Sequence, residues 1–227
     1  MKVPLVAIRG AIEFLERTEG LKELCDYDYL GDIWSWTELM GRLIDNADLL
    51  RYSKEGIQIN PIQTRILADV IAPAIKQVKL LLRERDFSYS NIRYDNETLK
   101  KFPRLWLDRN RFQQVIFNLL SNAIKYAYDD PKRFRVEIVG GEDAAEFTIL
   151  FRDWGVGIEN GMEEQIFDEG IRGENAENMN VTGQGMGLWV ARQIVERHGG
   201  TINVTNPQFP TEFEIRLPVT LISRSPV

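Results

Sequence analysis

The sequence has very little cysteine and histidine: Cys25 and His198 are the only residues of their kinds among its 227 residues. One cysteine excludes an internal disulfide framework and a cysteine-rich zinc site. One histidine excludes a metal site built from several histidines, and a Ser-His-Asp triad would have to use His198. The scarcity of cysteine fits a reducing compartment, so we expect a cytoplasmic location.

Long apolar runs and an excess of positive charge are also missing. No run approaches the ~20 apolar residues that cross a bilayer, and the N-terminus lacks the apolar core of a signal peptide. The 34 acidic and 28 basic residues give a net charge of −6, whereas nucleic-acid-binding domains usually carry a basic excess. We therefore expect no nucleic-acid partner and no membrane span in this segment, although a longer parent protein could be membrane-anchored.

Apolar residues at helical spacing fill the first quarter of the sequence. They predict helices over residues 4–17 and 30–53. The stripe on the second helix comprises Ile33, Trp36, Met40, Leu43, Ile44, Ala47 and Leu50. An antiparallel helical hairpin of this kind cannot bury its apolar face alone. We predict that residues 1–55 form a dimeric four-helix bundle with a second copy, and that residues 56–227 form a separate domain.

The second domain mixes helical and strand-like patterns. Helices are predicted over residues 62–85 (with a kink at Pro73), 111–128 and 188–197, and strands over 134–139, 147–151, 201–205 and 212–217. Gly140 and Gly141 are predicted to form the turn between the first two strands. Helices and strands that cluster rather than alternate strictly favour an α+β two-layer sandwich.

The first chemical motif lies on the predicted helix 111–128. Asn118, Asn122 and Lys125 are spaced i, i+4 and i+7 and therefore share one helix face. Mg²⁺ takes oxygen ligands and bonds substrate phosphates, so an asparagine oxygen suits a metal that already carries phosphate charge. Lys125 would supply a positive charge for a phosphate. The alternative is that both asparagines merely solvate the helix, although asparagine is a poor helix former.

A second motif, Asp153-Trp154-Gly155-Val156-Gly157-Ile158, follows a strand-like run. A carboxylate can accept a hydrogen bond from an exocyclic amine such as adenine N6. The glycines would allow the backbone to approach a flat base closely. A simple strand-ending turn would use the same residue types.

A third motif, Gly183-Gln184-Gly185-Met186-Gly187-Leu188, opens a predicted helix. Glycine-rich backbone at a helix N-terminus presents free N–H groups and the positive end of the helix dipole, which together cradle phosphate. A flexible loop is the alternative. Each motif alone is a weak signal, and their order and predicted elements give the combination its weight.

The three motifs together resemble the GHKL ATPase superfamily and, within it, the sensor histidine kinases. Residues 118–126 are similar to the N box of that family, 153–158 to the G1 box, 166–173 to the F box and 183–188 to the G2 box. The resemblance continues through residues 195–202 and 211–218 and covers nearly the whole chain. It implies a two-layer α/β sandwich of the GHKL (Bergerat) type that binds ATP with Mg²⁺.

The resemblance also implies a role for each matching residue. Asn122 with Asn118 would hold Mg²⁺, and Asn118 and Lys125 would act in catalysis. Asp153 would read the adenine amine, and residues 159–182 would form a lid anchored by Phe167. The implied ATP-binding set is Asn118, Asn122, Lys125, Tyr126, Asp153, Gly155, Gly157, Ile158, Arg172, Gly183, Gly185, Gly187, Leu188 and Thr211.

Residues 1–5 resemble the tail of the H box, which would place the acceptor histidine two residues before Met1. The resemblance thus implies a homodimeric kinase that phosphorylates that histidine and then an aspartate on a response regulator receiver domain. His198, in the last turn of a predicted helix, is expected to contact the C-terminal carbonyls instead.

Two other functions remain open at this point. One is a GHKL-type ATP hydrolase, but members of that kind have glutamate where Asn118 stands, and asparagine cannot take up a proton from water. The other is a non-catalytic module for nucleotide binding or dimerisation.

Overall fold

The structure, a computed structural model, describes residues 57–173 and 185–223 together with Ile33, Thr37 and Met40. The chain divides into two compact units, Met1–Glu55 and Gly56–Val227. In the first unit the three described residues are helical, and Ile33 and Met40 expose 45% and 43% of their surface. The rest of the predicted hairpin lies outside the described residues, so the hairpin and its dimerisation remain predictions.

The second unit contains the predicted α+β sandwich, built on a five-stranded sheet of order β2-β4-β5-β7-β6. The strands are β1 Ile62–Thr64, β2 Ile92–Tyr94, β3 Leu105–Leu107, β4 Val136–Glu142, β5 Glu146–Asp153, β6 Thr201–Asn206 and β7 Thr211–Pro218. β2 runs parallel to β4, and the other neighbours in this sheet are antiparallel. β1 and β3 form a separate antiparallel pair.

Five α-helices are described in the second unit, together with a π-helical segment and short 3₁₀ turns. They are α1 Ala72–Gln77, α2 Lys79–Glu84, α3 Asn96–Leu99, α4 Arg109–Lys125 and α5 Gly187–Arg197, with a π-helical segment at Ile66–Ile71 and short 3₁₀ turns at Tyr89–Asn91, Gln165–Phe167 and Val219–Ile222. The two long helices, α4 and α5, pack against each other. No helix among the described residues is long and apolar enough to cross a bilayer.

One face of the sheet forms the core. Along β5 the side chains alternate between buried and half-buried, and those of β7 match them in register, with Phe151 opposite Phe213 and Ile149 opposite Ile215. Each fully buried side chain of this size stabilises the fold by about 2 kcal/mol. The other face carries ion pairs such as Arg152 with Glu212, so the sheet buries only one side.

Helix α4 starts and ends where local chemistry dictates. The Asp108 carboxylate accepts hydrogen bonds from the backbone N–H groups of Asn110 and Arg111, which caps the N-terminus. The helix therefore begins two residues earlier than predicted and ends at Lys125, with Tyr126 as its C-cap. Helix α5 stops before Gly199, whose φ of +79° suits glycine, as its sequence predicts.

The predicted helix over residues 62–85, with a kink at Pro73, is wrong at its start and confirmed for most of its length, since helical segments run from Ile66 to Glu84 with a break at Val78. Ile62–Thr64 forms strand β1, which pairs with β3. The chain then forms the π-helical segment before Pro73, which has no N–H to offer the carbonyl of Asp69 four residues earlier. Gln113 Nε2 of α4 donates to that carbonyl at 2.7 Å instead. A tertiary contact thus satisfies the group that the proline leaves unpaired.

The predicted turn at Gly140-Gly141 is also wrong, because β4 continues through both glycines. A Cβ on Gly140 would lie 3.0 Å from Phe102 and 3.1 Å from Leu99, so this glycine permits close packing within a strand. The turn falls after it, where Asp143 Oδ1 accepts the N–H groups of Ala145 and Glu146. The short elements β2, α3 and β3 were not predicted.

His198 is a buried structural residue, with 1% of its surface exposed. Its Nδ1 lies 2.8 Å from the carbonyl of Ile194, which confirms the predicted contact with the end of helix α5. Its Nε2 accepts the Asp108 N–H at 3.0 Å, and its ring packs edge-on against Phe112 at 4.8 Å. One neutral histidine therefore links the end of α5 to the start of α4.

We predict that His198→Ala lowers the free energy of unfolding by about 2–4 kcal/mol, since it opens a cavity and leaves the Asp108 N–H unpaired. The exposed neighbour Arg197 provides the control, because Arg197→Ala should cost at most about 0.5 kcal/mol. Urea unfolding measures both. Equal effects of the two substitutions would contradict the structural role of His198.

Candidate functional site

Two hydrogen bonds bring the sequence motifs together. Asn118 Nδ2 on α4 donates to the carbonyl of Gly187, the first residue of α5, at 2.8 Å. The N–H of Val156, in the loop after β5, donates to the carbonyl of Tyr126 at the end of α4 at 3.0 Å. The N-box-like, G1-box-like and G2-box-like segments, predicted separately, are therefore neighbours around one helix.

Asn118 is held by the fold itself. Its side chain is buried, and a Cβ placed on Gly187 would lie 3.7 Å from it, so the two helices approach closely at this point. The hydrogen bond to Gly187 uses the amide nitrogen. The Oδ1 of Asn118, the atom that would bind a metal, is not used by that bond. Asn122 lies one turn further along α4 and is half-buried.

Asp153 ends strand β5 with only 8% of its surface exposed. It lies opposite Thr211, the buried first residue of β7, in the strand register. Burial raises the pKa of Asp153 from its ordinary value to about 6, and a hydrogen bond from the Gly155 N–H at 3.0 Å opposes part of that increase. A buried carboxylate of this kind favours a ligand that donates a hydrogen bond to it.

Gly155, Gly157 and Gly185 adopt backbone conformations or close contacts that a side chain would prevent. A Cβ on Gly155 would lie 2.7 Å from the Tyr126 carbonyl oxygen, and Gly157 has a φ of +81°. The residue after it, Ile158, donates its N–H to Pro207 O at 2.7 Å. Gly185 has a φ of +70°, and a Cβ there would lie 2.7 Å from the Ile171 carbonyl. These close approaches join the loop after β5 to α4 and the F-box-like segment to the start of α5.

Lys125, at the end of α4, is partly buried and feels the positive charge of Arg172. Burial lowers the pKa of the Lys125 ammonium, and the positive charge of Arg172 lowers it further. The shared role of Lys125 and Arg172 in binding one ligand stays a prediction. The positive charges of Lys125 and Arg172 repel each other, and a bound anion would reduce that repulsion.

Phe167 is fully buried between the sheet and helix α5. Its ring lies edge-on to Phe213 of β7 at 6.2 Å, and the Arg192 guanidinium lies 4.3 Å from the ring centroid. Arg192 also pairs with Glu164 at 2.8 Å. The predicted anchor is thus packed into the core. Residues 174–182 of the predicted lid, and Gly183 after it, lie outside the described residues. Leu188 is half-buried in the first turn of α5.

The donor groups restrict the kind of metal that could bind. The described residues contain no group of three or more His, Cys, Asp or Glu side chains placed to hold a metal ion. Asn118 and Asn122 offer neutral amide oxygens, and the nearby Lys125 is cationic. These residues fit a Mg²⁺ ion that arrives with the negative charge of a polyphosphate, and they do not fit a metal bound alone.

Sequence reasoning missed Arg85, which lies just after α2. Its guanidinium donates to the carbonyls of Ile124, Lys125 and Ala127 at the end of α4. No local pattern indicates this contact, because about 40 residues separate the partners and any surface arginine would look the same in the sequence.

The fold is an α+β sandwich in which the motif segments are neighbours around helix α4. Residues 107–221, about half of the chain, match the family of histidine kinase-, DNA gyrase B- and HSP90-like ATPases. The chain belongs to that family.

Individual relatives within the family are sensor kinases. The chain is 26% identical over 99% of its length to the autoinducer 2 sensor kinase/phosphatase LuxQ of Vibrio cholerae, of which it spans 26%. Its fold is similar to that of full-length ShkA in complex with AMPPNP, with a TM-score of 0.61 over 96% of this chain and 43% of ShkA, at 17% identity. It is also similar to histidine kinase ThkA in complex with the response regulator protein TrrA, with a TM-score of 0.58 over 98% of this chain and 60% of ThkA, at 22% identity.

We predict that Asp153→Asn stabilises the nucleotide-free protein at neutral pH. Because the folded-state pKa is raised to about 6, the ionised carboxylate costs about 3 kcal/mol above that pH, and the cost disappears as the pH falls below about 4. Asparagine can still accept the Gly155 N–H but carries no charge. Urea unfolding at pH 7.5 and pH 4 should therefore show a gain at the higher pH only.

The control for this prediction is Asp143→Asn. Backbone N–H groups of Ala145 and Glu146 lower the pKa of the exposed Asp143 carboxyl, so its ionised form is favoured and the substitution should bring no gain at pH 7.5. An Asp153→Asn variant that is no more stable than the wild type at pH 7.5 would contradict the cost assigned to the buried charge.

Proposed function

We propose that this chain binds Mg-ATP and is the ATP-using part of a sensor histidine kinase. One observation carries the proposal: the Val156 N–H to Tyr126 carbonyl bond joins the loop that follows Asp153 to the helix end that bears Lys125. On this proposal, an acceptor for the base and a cation for the phosphates would lie on adjoining segments. The family match and the sensor kinase relatives support the same function.

Asp153 would recognise the adenine. Its ionised carboxylate accepts the hydrogen bond that the exocyclic amine of adenine donates, whereas guanine presents a carbonyl oxygen at the corresponding position. Gly155 and Gly157 let the loop pack closely against Tyr126 and Pro207, which would set its backbone beside the base. Thr211 lies at the same end of the sheet. The site should therefore prefer adenine over guanine nucleotides.

Lys125 and Arg172 would bind the phosphates, and Gly185 and Gly187 would approach them at the start of α5. Asn122 and Asn118 would hold a Mg²⁺ ion, which when bound supplies positive charge to the phosphate oxygens. In phosphoryl transfer the protein mainly positions the reactants and stabilises charge. Lys125 would hold the γ-phosphate by its charge.

Transfer is favoured over hydrolysis. Hydrolysis would need a base to take the proton of an attacking water, and the Asn118 side chain is neutral and tied to Gly187. The acceptor we propose is a histidine that attacks the γ-phosphorus through an imidazole nitrogen, while ADP leaves with the electrons of the broken P–O bond. His198 cannot serve, because it is buried and both ring nitrogens are hydrogen-bonded within the fold.

The proposed partners follow from the relatives. ThkA is found in complex with a response regulator protein, and we propose that this chain acts with a receiver domain in the same way. We also propose that residues 1–55 form its homodimer, since the apolar side chains of Ile33 and Met40 are exposed in the single chain. The chain spans about a quarter of the length of LuxQ.

We predict that Asp153→Ala weakens Mg-ATP binding by about ten- to a hundred-fold, the range expected for loss of one hydrogen bond to a charged group. GTP binding should change little. In the wild type, ATP affinity should fall about tenfold between pH 7.5 and pH 5, because Asp153 with a pKa of about 6 becomes protonated. Titration calorimetry measures all three.

The variant also controls for the pH dependence of the ligand. Protonation of ATP and its binding of Mg²⁺ change with pH in the same way in both experiments, with wild type and with Asp153→Ala. Any additional pH dependence of ATP affinity in the wild type therefore comes from the Asp153 carboxylate. An Asp153→Ala variant that binds ATP as well as the wild type would exclude Asp153 as the adenine-reading group.

We predict that the chain binds Mg-ATP but neither labels itself with the γ-phosphoryl group nor hydrolyses ATP rapidly, since its only histidine is His198. Adding a His-Glu pair directly before Met1 should produce acid-labile, base-stable labelling, which is the mark of phosphohistidine. Asn122→Ala in the extended chain should abolish the labelling, because Mg²⁺ would lose its protein ligand.

The matched control is Asn110→Ala on the same helix, at its first turn and far from the N-box-like residues, which should still label. Rapid ATP turnover by the unextended chain would contradict the role given to Asn118 and favour the hydrolase function. An extended chain that binds Mg-ATP but never labels would favour the non-catalytic module.

A further inference from the structure

The end of helix α4 presents carbonyl groups that lie beyond its i to i+4 hydrogen bonds. They belong to Ile124, Lys125, Tyr126 and Ala127, and within the helix end only the Ile124 carbonyl is shown to accept an N–H, that of Ala127 at 3.5 Å. No glycine follows to close the helix in a left-handed cap. Lys125 and Tyr126 are site residues, so the position of this short segment fixes part of the site.

A single side chain contacts three of these carbonyls. Arg85 Nη1 donates to Ile124 O and Lys125 O, each at 3.2 Å, and Nη2 donates to Ala127 O at 3.0 Å. A cation at a helix C-terminus also interacts favourably with the helix dipole. The planar guanidinium suits a set of oxygens spread around one turn, whereas the ammonium of lysine is a compact point charge.

The remaining carbonyl, that of Tyr126, accepts the Val156 N–H from the loop after β5. Residues 124–127 therefore accept hydrogen bonds both from Arg85 and from the loop that follows Asp153. A Cβ on Gly155 would approach Tyr126 O to 2.7 Å, which shows how little room the segment has to shift.

Arg85 is itself fixed in place. Its Nη2 pairs with Asp129 Oδ1 at 3.0 Å, and its guanidinium carbon lies 5.2 Å from the ring centroid of Phe87. Phe87 stacks on Phe134, with the ring centroids 4.3 Å apart and the planes 11° from parallel. The Asp129 carboxylate is fully exposed and adds little energy, so the carbonyl contacts are the main function of this guanidinium.

We propose that Arg85 is a positioning residue for nucleotide binding and phosphoryl transfer. It would act through the end of α4 and not by contact with the nucleotide. By holding the carbonyls of Ile124, Lys125 and Ala127, it keeps the Lys125 side chain and the Tyr126–Val156 bond in the arrangement that lets phosphate and adenine bind together. This inference rests on the proposed function of the site.

Removing Arg85 should affect binding even when the protein stays folded. In Arg85→Met the apolar stem remains while the three carbonyls lose their donors, so the last turn of α4 loosens and Lys125 moves from its place. Misplacement of about 1 Å can cost up to a hundred-fold in rate, and we expect about a tenfold loss of Mg-ATP affinity. Arg85→Lys keeps the charge but not the fork, so its affinity should lie between Arg85→Met and the wild type.

The experiment measures Mg-ATP affinity of the full chain by calorimetry at 10 °C, where circular dichroism confirms that each variant is folded. The control is Arg83→Met, two residues earlier and exposed on α2, which should stay within about twofold of the wild type. A residue that only stabilised the fold would lower the melting temperature without changing this affinity.

A double-mutant cycle with Lys125→Met tests the route of the effect. If Arg85 acts through Lys125, the double variant should bind Mg-ATP less than about threefold more weakly than Lys125→Met alone. Effects that multiply in full would overturn the proposal, as would folded Arg85→Met with unchanged affinity. Should Arg85→Met fail to fold, Arg85→Lys decides, and wild-type affinity in that variant overturns the proposal.

The wild-type measurement separates the two claims. A wild type that binds no Mg-ATP overturns the proposed function and this inference together. A wild type that binds, combined with an Arg85→Met variant that binds equally well, overturns this inference alone.

Discussion

The rest of the site depends on one backbone hydrogen bond, from the Val156 N–H to the carbonyl of Tyr126. It joins the end of helix α4 to the loop that follows strand β5. Other contacts fix the position of each partner. Strand register sets Asp153 opposite Thr211, and Arg85 holds the carbonyls on either side of Tyr126. A shift of the Tyr126–Val156 contact would move the Asp153 carboxylate relative to Lys125, and several contacts hold this position.

The groups proposed to bind a nucleotide also cost stability. Burial raises the pKa of Asp153, and burial and Arg172 together lower that of Lys125, so the charged form of each group is disfavoured. A ligand with a hydrogen-bond donor at one end and negative charge at the other would relieve both costs. Binding energy is available because the protein holds these groups in place before the ligand arrives, a common feature of functional sites.

Most of the fold and much of the site could be predicted from the sequence, because they rest on local signals. The apolar face of α4, the alternation along β5 and the glycine after α5 identify those elements, and motif order indicates that Asn118, Asp153 and Gly187 belong to one site. The errors arose where distant contacts override local preference. Thr64 donates to Leu107 O, and Gly140 packs against Phe102. Arg85 was missed for the same reason.

The central claim is that a base at Asp153 and phosphates at Lys125 belong to one bound ATP molecule. The most direct test is a crystal structure of the chain with Mg²⁺ and a non-hydrolysable ATP analogue. We predict that the adenine amine lies about 3 Å from the Asp153 carboxylate, with Mg²⁺ bonded to the Asn122 side-chain oxygen. A nucleotide whose base lies away from Asp153, or whose phosphates lie away from Lys125, would contradict the account.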